Sequence, residues 1–255
     1  MVAHSADGSG FVHRVYSKRS PSQASSNTLV LLIDGDGRAF IDRSTVARDP
    51  TPDRSLLLPL VPDLAAIGPV AYLGRPCYHH MPDDACTPLQ WTLARYGIEV
   101  VESLSKVAKL QLGEGQDILF AGFSGGGVLA LLVAAQMPEY VRGVVTYGAP
   151  LDITAWADFH GYTRLDESID PANDPDRYAE LCQLHLFGGR DRVVPPALTA
   201  TWRWPMDRTI RDLSTNHTCC WRKPLLQAIK DQVAACSKKV RPEIETHAGG
   251  AASFD

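Results

Sequence analysis

The chain has 255 residues, 45% of them hydrophobic, enough to bury a sizeable core without leaning on metals or disulfides. A formal charge of -4 offers no general attraction for nucleic acid or for an anionic membrane surface. No window approaches the roughly 20 apolar residues of a membrane span, and the first ten residues are mostly small and polar, without the apolar stretch of a secretory signal. The expectation is a soluble chain with no nucleic-acid partner, cytoplasmic by default or else the mature form of an exported protein.

In chain order, Phe11–Ser17 alternates apolar and polar residues, the pattern of a half-exposed edge strand. A Ser/Pro/Gln-rich stretch over 20–27 reads as a loop. Thr28–Asp34 (TLVLLID) is a continuous apolar run, as in a parallel strand covered on both faces, and a Gly/Asp turn follows it. Residues 53–67 carry Leu56, Leu57, Leu60, Val61, Leu64 and Ala65 at helical spacing. Pro69–Leu73 is the next strand, and 88–112 suggests one or two helices. Asp117–Ala121 is a short buried strand that runs into a Gly-rich segment at 122–127, with an apolar helix over Val128–Met137. Val141–Tyr147 and Leu184–Phe187 are further strands, and Thr209–Leu213 is a candidate for another. Lys223–Cys236 is an amphipathic helix, and the polar tail from Val240 is expected to fray.

No internal repeat or linker divides the chain, so a single domain over 1–255 is expected, with an ordered core over about 11–238 and a polar tail at 240–255. Repeated βα units predict an α/β fold, an open and mostly parallel central sheet with helices on both faces. Such sheets bind ligands at the carboxyl ends of their strands. Only residues 150–178 leave room for a lid, and a short one.

The segment Gly122-Phe123-Ser124-Gly125-Gly126 is a G-x-S-x-G set between an apolar strand and an apolar helix. That context defines a sharp strand-to-helix turn that lifts a serine hydroxyl clear of the sheet, beside the free N–H groups of a helix start. Side chains at the elbow positions Gly122 and Gly126 would clash with such a turn. No Lys-Ser/Thr pair follows the glycines, so the phosphate-loop pattern fails. Ser124 is therefore the candidate nucleophile.

A serine hydroxyl needs a base, and the base needs an orienting carboxylate. Downstream histidines are His160, His185, His217 and His247. His247 lies in the tail, His185 lies inside a strand as a core histidine, and His160 lies in the segment between strands. His217, in a loop between the last candidate strand and the last helix, is the expected base. Asp191 follows an apolar strand and Gly188-Gly189 in a tight turn, which makes it the expected acid, with Asp152 as the alternative. For the oxyanion, the backbone N–H groups of Gly125 and Asp36 are the expected donors, with Gly35 allowing close approach. The carboxylates of Asp34 and Asp36 are then expected to point away, pairing with Arg38, or one of them is expected to bind a cationic or hydroxylated part of the substrate. Phe123, Trp156 and His160 are candidate pocket residues beside Gly35.

Six cysteines at 77, 86, 182, 219, 220 and 236 show no paired metal-ligand spacing, so no metal and no cofactor is expected. Reduced thiols lead the expectation, with Cys77–Cys86 as the first candidate bridge. For Cys219 and Cys220, packing or a bridge is preferred to redox chemistry.

The GFSGG elbow, the GGRDRVVPP turn and the NHTCCW loop together resemble the α/β-hydrolase superfamily. With IDGDGRAF, YLGRPC and the Cys86/Trp91 segment, the chain over about 11–236 is similar to a little-characterised group of bacterial α/β-hydrolase-fold proteins. Those proteins usually read EGDG where Asp34-Gly-Asp-Gly37 stands here, and many are exported or lipid-anchored. The resemblance implies a serine hydrolase with a Ser-His-Asp triad acting on a small-molecule acyl ester. A thioesterase, an acyltransferase or a catalytically silent binding module is the alternative.

Overall fold

Alternation along the central strands divides the core into two layers. In the computed structural model, which describes residues 1–18, 26–42, 44–81, 83–201, 209–212 and 214–236, strand β3 (Leu29–Ile33) is buried throughout. Its Leu29, Leu31 and Ile33 face one apolar layer while Val30 and Leu32 face the other, as the two-residue period of a strand requires. Further strands are β1 (Val2–Asp7), β2 (Val12–Lys18), β4 (Val70–Leu73), β5 (Ile118–Phe123), β6 (Val141–Tyr147), β7 (Gln183–Gly188) and β8 (Thr209–Asp212). They form an eight-stranded sheet in the order β1-β2-β4-β3-β5-β6-β7-β8. β1 and β2 run antiparallel at one edge, and β4 through β8 run parallel with β3.

Helices α2 (Ile98–Leu110) and α3 (Gly125–Gln136) cover one face, and α1 (Val61–Leu64) with α5 (Arg222–Ala235) covers the other. Helix α4 (Ile153–His160) and two 3-10 turns occupy the segment between β6 and β7. Among the described residues, no helix is long and apolar enough to cross a membrane.

Several elements differ from the sequence reading. β1 was not expected, because VAHSAD carries no apolar alternation; as an edge strand with one neighbour it buries little more than Ala6. The helical pattern over 53–67 yields only a 3-10 turn at Leu58–Leu60 and the single turn of α1. Pro59 and Pro62 supply no N–H and clash with a preceding helical turn, so each can only begin an element. Residues 88–112 divide into a 3-10 turn at Pro88–Trp91 and α2. α3 begins at Gly125 rather than Val128, directly after the elbow serine. The loop expected over 20–27 falls mostly on residues 19–25, which lie outside the described residues, as do Leu213 and the tail with His247.

All six cysteines are paired, as Cys77–Cys86, Cys182–Cys236 and the adjacent Cys219–Cys220. The expectation of reduced thiols is corrected by this pairing. Chain folding brings Cys182 and Cys236 together from 54 residues apart, a proximity that no local spacing in the sequence signals.

One buried group makes the stability of the fold depend on pH. His13 on β2 is enclosed, its Nδ1–H donating to the Gly74 carbonyl (2.8 Å) and its Nε2 accepting from the Ser103 hydroxyl (2.7 Å). Burial outweighs the Gly74 hydrogen bond and pushes its pKa down to about 4. Between the ordinary histidine value near 6.5 and about 4, the unfolded chain binds a proton that the folded chain refuses. Stability present above about pH 6.5 is therefore lost as the pH falls toward 4, by ~3 kcal/mol. Urea midpoints at pH 7 and pH 4.5 should separate less in His13→Gln than in the native chain; equal separations would remove His13 as the cause.

Candidate active site

The site lies at the carboxyl ends of the parallel strands, where the β5–α3 elbow, the β3 loop, the β7 turn and the loop before α5 converge. Ser124 sits at the elbow with φ +51° and ψ -126°, a left-handed conformation that is strained for a residue with a side chain. The turn is held by Ser124 N–H donating to the Tyr147 carbonyl (2.8 Å) and Gly127 N–H donating to the Ser124 carbonyl (2.8 Å). A Cβ at Gly122 would collide with the backbone of Gly126, and one at Gly126 with the Ile33 and Asp34 carbonyls. Gly35 is less crowded but still tight, since a Cβ there would lie 3.2 Å from Ser124 Cβ and 3.3 Å from the Phe123 ring.

His217 Nε2 lies 3.2 Å from Ser124 Oγ, and its Nδ1 lies 2.8 Å from Asp191 Oδ2. The carboxylate accepts only, so Nδ1 carries the proton and Nε2 presents its lone pair to the serine hydroxyl. The Asp191 side chain is fully buried. Its other oxygen accepts the N–H groups of Val193 and Val194, each at 2.8 Å. The histidine loop is fixed through its backbone, with Tyr147 Oη donating to the carbonyls of His217 (2.6 Å) and Asn216 (3.0 Å). Asn216 Oδ1 in turn accepts from Thr218 and Cys219 N–H. Phe123 packs between Tyr147 and His217, with ring centroids 5.1 and 4.9 Å away, and so supports the imidazole.

The acidic loop after β3 is consumed inside the protein. Asp34 accepts from the Ser55 hydroxyl, Leu56 N–H (3.0 Å) and Gly35 N–H (3.2 Å), and burial raises its pKa despite these donors. Asp36 pairs with Arg75 and Arg95 and accepts the Tyr96 hydroxyl at 2.6 Å. Burial alone would raise the Asp36 pKa, but the two guanidinium groups and the Tyr96 hydroxyl hold it down at about 2. The expected partner Arg38 instead donates to the carbonyl of Ile41 and, through its own N–H, to Pro50. This corrects the expected pairing with Arg38: Asp36 is held instead by Arg75 and Arg95, and Asp34 by Ser55 and backbone N–H groups.

The remaining candidates are distributed differently. Asp152 caps α4 by accepting Ala155 N–H at 2.8 Å. His185 is a fully buried histidine between Thr146 Oγ1 (2.7 Å) and Gln183 Oε1 (3.2 Å). Trp156 Nε1 and His160 Nε2 both donate to the Val193 carbonyl at 2.8 Å, tying α4 to the acid turn. His160 stacks on Tyr162 beside the largely exposed Phe159. These aromatics form a rim next to the acid turn. The Cys77–Cys86 loop is closed by its disulfide, and among the described residues no group of three or more His, Cys, Asp or Glu side chains could hold a metal.

Sequence reasoning missed Arg75, Tyr78, Arg95 and Tyr96, which surround Asp36, and Tyr147, which holds the histidine loop. It also missed Gly148, where a Cβ would lie 3.2 Å from Asp191 Oδ2 and 3.3 Å from His217 Nδ1. The one usable signal was position, since Gly148 directly follows β6 and Arg75 lies two residues beyond the end of β4.

No family model matches the chain, and no curated protein is similar to it in sequence. Solved structures are similar in fold. Est1E from Butyrivibrio proteoclasticus superposes with a TM-score of 0.64 at 16% identity, covering 92% of this chain and 100% of that one. The same protein with ferulic acid bound gives 0.66 at 13% identity, covering 91% and 99%. A lidless α/β serine hydrolase from Xanthomonas campestris gives 0.60 at 15% identity, covering 91% and 93%. With the sheet order and the elbow, these likenesses define the chain as an α/β-hydrolase fold.

Proposed function

We propose that the chain is a serine hydrolase that cleaves a carboxylic ester through an acyl-enzyme. The observation that carries this reading is the line Asp191–His217–Ser124, hydrogen-bonded at 2.8 and 3.2 Å and ending on a serine held at positive φ. In the proposed reaction His217 Nε2 takes the Ser124 proton as Oγ attacks the carbonyl carbon, and the N–H groups of Asp36 and Gly125 hold the resulting oxyanion. His217 then returns the proton to the leaving alcohol. It next deprotonates the water that releases the acid, while Asp191 keeps the imidazole in one tautomer and supports its charge. Trp156, His160 and Phe123 are proposed to border the substrate.

Pairing of all six cysteines supports an oxidising, exported setting for this activity. A fluorophosphonate should label the native chain and fail to label Ser124→Ala, with labelling of His217→Ala strongly slowed. Labelling that survives Ser124→Ala would falsify the nucleophile; a folded native chain that never labels would favour a binding module. A panel of short, long and hydroxycinnamoyl esters, the last chosen because Est1E binds ferulic acid, with thioesters and acceptor alcohols alongside, would separate hydrolysis of esters from thioester cleavage and acyl transfer.

A further inference from the structure

Asp36 is held from two sides, and both holds come from segments outside the elbow and the triad. Its carbonyl accepts the Tyr78 hydroxyl at 2.9 Å. Its carboxylate accepts from Arg75, from Arg95 Nη1 at 3.1 Å and from the Tyr96 hydroxyl at 2.6 Å. The arginines are themselves fixed, Arg75 donating to the Arg95 carbonyl (2.9 Å) and Arg95 Nε to the Thr92 carbonyl (2.7 Å). The Arg75 guanidinium also lies over the Tyr78 ring at 5.0 Å and the Tyr96 ring at 5.6 Å. Arg75 is 2% exposed and Arg95 11%, so neither is a mobile surface cation.

The same carboxylate touches the other oxyanion donor. A Cβ at Gly125 would collide with Asp36 Oδ1 and the Tyr96 hydroxyl, so the Asp36 side chain packs directly on the Gly125 backbone. Among the described residues, neither the Asp36 nor the Gly125 N–H takes part in a turn, loop or cap hydrogen bond. Two guanidinium groups against one carboxylate also leave a net positive charge behind the place where the oxyanion forms. An oxyanion site works by holding its dipoles in place before charge develops, so a residue that fixes these donors acts on the transition state and little on the bound ester.

The two holding segments are cross-linked. Arg75 and Tyr78 flank Cys77, and Cys86 opens the segment that runs through the Pro88–Trp91 turn to Arg95 and Tyr96. Cys77 itself has φ +69°, so this short loop is bent tightly around the bridge.

We propose that Arg75, Tyr78, Arg95 and Tyr96, joined through the Cys77–Cys86 disulfide, are positioning residues that clamp Asp36 so that its N–H and that of Gly125 converge on the oxyanion. This inference rests on the serine hydrolase reading and adds to it the group that makes the acidic loop compatible with catalysis. Each arginine divides its donors between the Asp36 carboxylate and a backbone carbonyl, that of Arg95 for Arg75 and that of Thr92 for Arg95.

The test compares the native chain with Arg95→Ala, Arg95→Lys and Tyr78→Phe in ester hydrolysis, with thermal midpoints measured for each. Inhibition by a trifluoromethyl ketone, which forms a serine-bound oxyanion, is measured in parallel. Arg95→Ala should lower kcat by about 10- to 100-fold with KM nearly unchanged, and Tyr78→Phe by about 3- to 10-fold. Affinity for the ketone should fall by the same factor as kcat/KM, and Arg95→Lys should recover part of the loss by keeping a cation on Asp36. If Arg95→Ala fails to fold, Tyr78→Phe, which removes one hydroxyl, carries the test. Unchanged kcat in the folded variants, a loss confined to KM, or unchanged ketone affinity would each overturn the clamp. A native chain that labels at Ser124 beside unaffected variants overturns the clamp alone, whereas a folded native chain that neither labels nor turns over overturns the hydrolase reading and the clamp together.

Discussion

Asp191→Asn is expected to lower kcat by about four orders of magnitude while leaving the fold intact. The reason lies in how the two carboxylate oxygens are used. Oδ1 accepts two backbone N–H groups, from Val193 and Val194, and Oδ2 accepts the His217 Nδ1–H. An asparagine can satisfy the two backbone donors only by turning its carbonyl toward them, which aims its NH2 at His217. The imidazole must then accept at Nδ1 and carry its proton on Nε2, the nitrogen that faces Ser124. A protonated Nε2 cannot take the serine proton, so the base is lost through the tautomer. His217→Ala should lower kcat further, by about six orders of magnitude, because it removes the base itself. Steady-state kinetics on a chromogenic ester, with circular dichroism to verify folding, checks both. Asp191→Asn with near-native kcat would show that Asp191 is a structural turn residue.

Removing the Cys182–Cys236 bridge should produce the largest single loss of stability among the cysteine pairs. The bridge closes a loop of 54 residues, against separations of 9 and 1 for the other two pairs, and loop-closure entropy grows with that length. The expected contribution is ~2–4 kcal/mol, which lowers Tm by roughly 5–15 °C in a chain of this size. The bridge fastens the end of α5 to the residue preceding β7, and Arg142 reinforces the junction by donating to the Cys236 carbonyl at 2.7 Å. α5 begins just after the loop that carries His217, so its anchorage also limits how far that loop can drift. Calorimetry of the Cys182→Ser, Cys236→Ser double variant tests this. An unchanged Tm would sink it, as would thiol titration of the folded native protein that finds free cysteines.

Much of this architecture was legible in single segments. The run TLVLLID carries the pattern of a strand buried on both faces, and the apolar strand, Gly-rich turn and apolar helix around Ser124 mark the elbow in the sequence itself. Asp191 and His217 were picked out by their place after strands, and the folded chain brings them into line with Ser124. β1 was not legible, because an edge strand buries one face at most and VAHSAD carries no apolar alternation. The apolar spacing over 53–67 does not become one helix, because Pro59 and Pro62 interrupt it and leave a 3-10 turn and the single turn of α1.

The acidic loop shows most clearly where local reading stops. Asp34 and Asp36 were recognised as a difficulty for an oxyanion site, and the nearby Arg38 was the natural guess for a partner. The actual ionic partners of Asp36, Arg75 and Arg95, lie 39 and 59 residues downstream. Local patterns of burial and turn geometry determined the strands, the elbow and the order of the candidate nucleophile, acid and base, because backbone sterics and the periodicity of apolar residues act over a few positions. Only the tertiary structure decided which charges meet, which cysteines pair and what neutralises Asp36. Coulombic pairing and disulfide formation depend on distances between segments that the chain brings together only when the sheet has closed around its core.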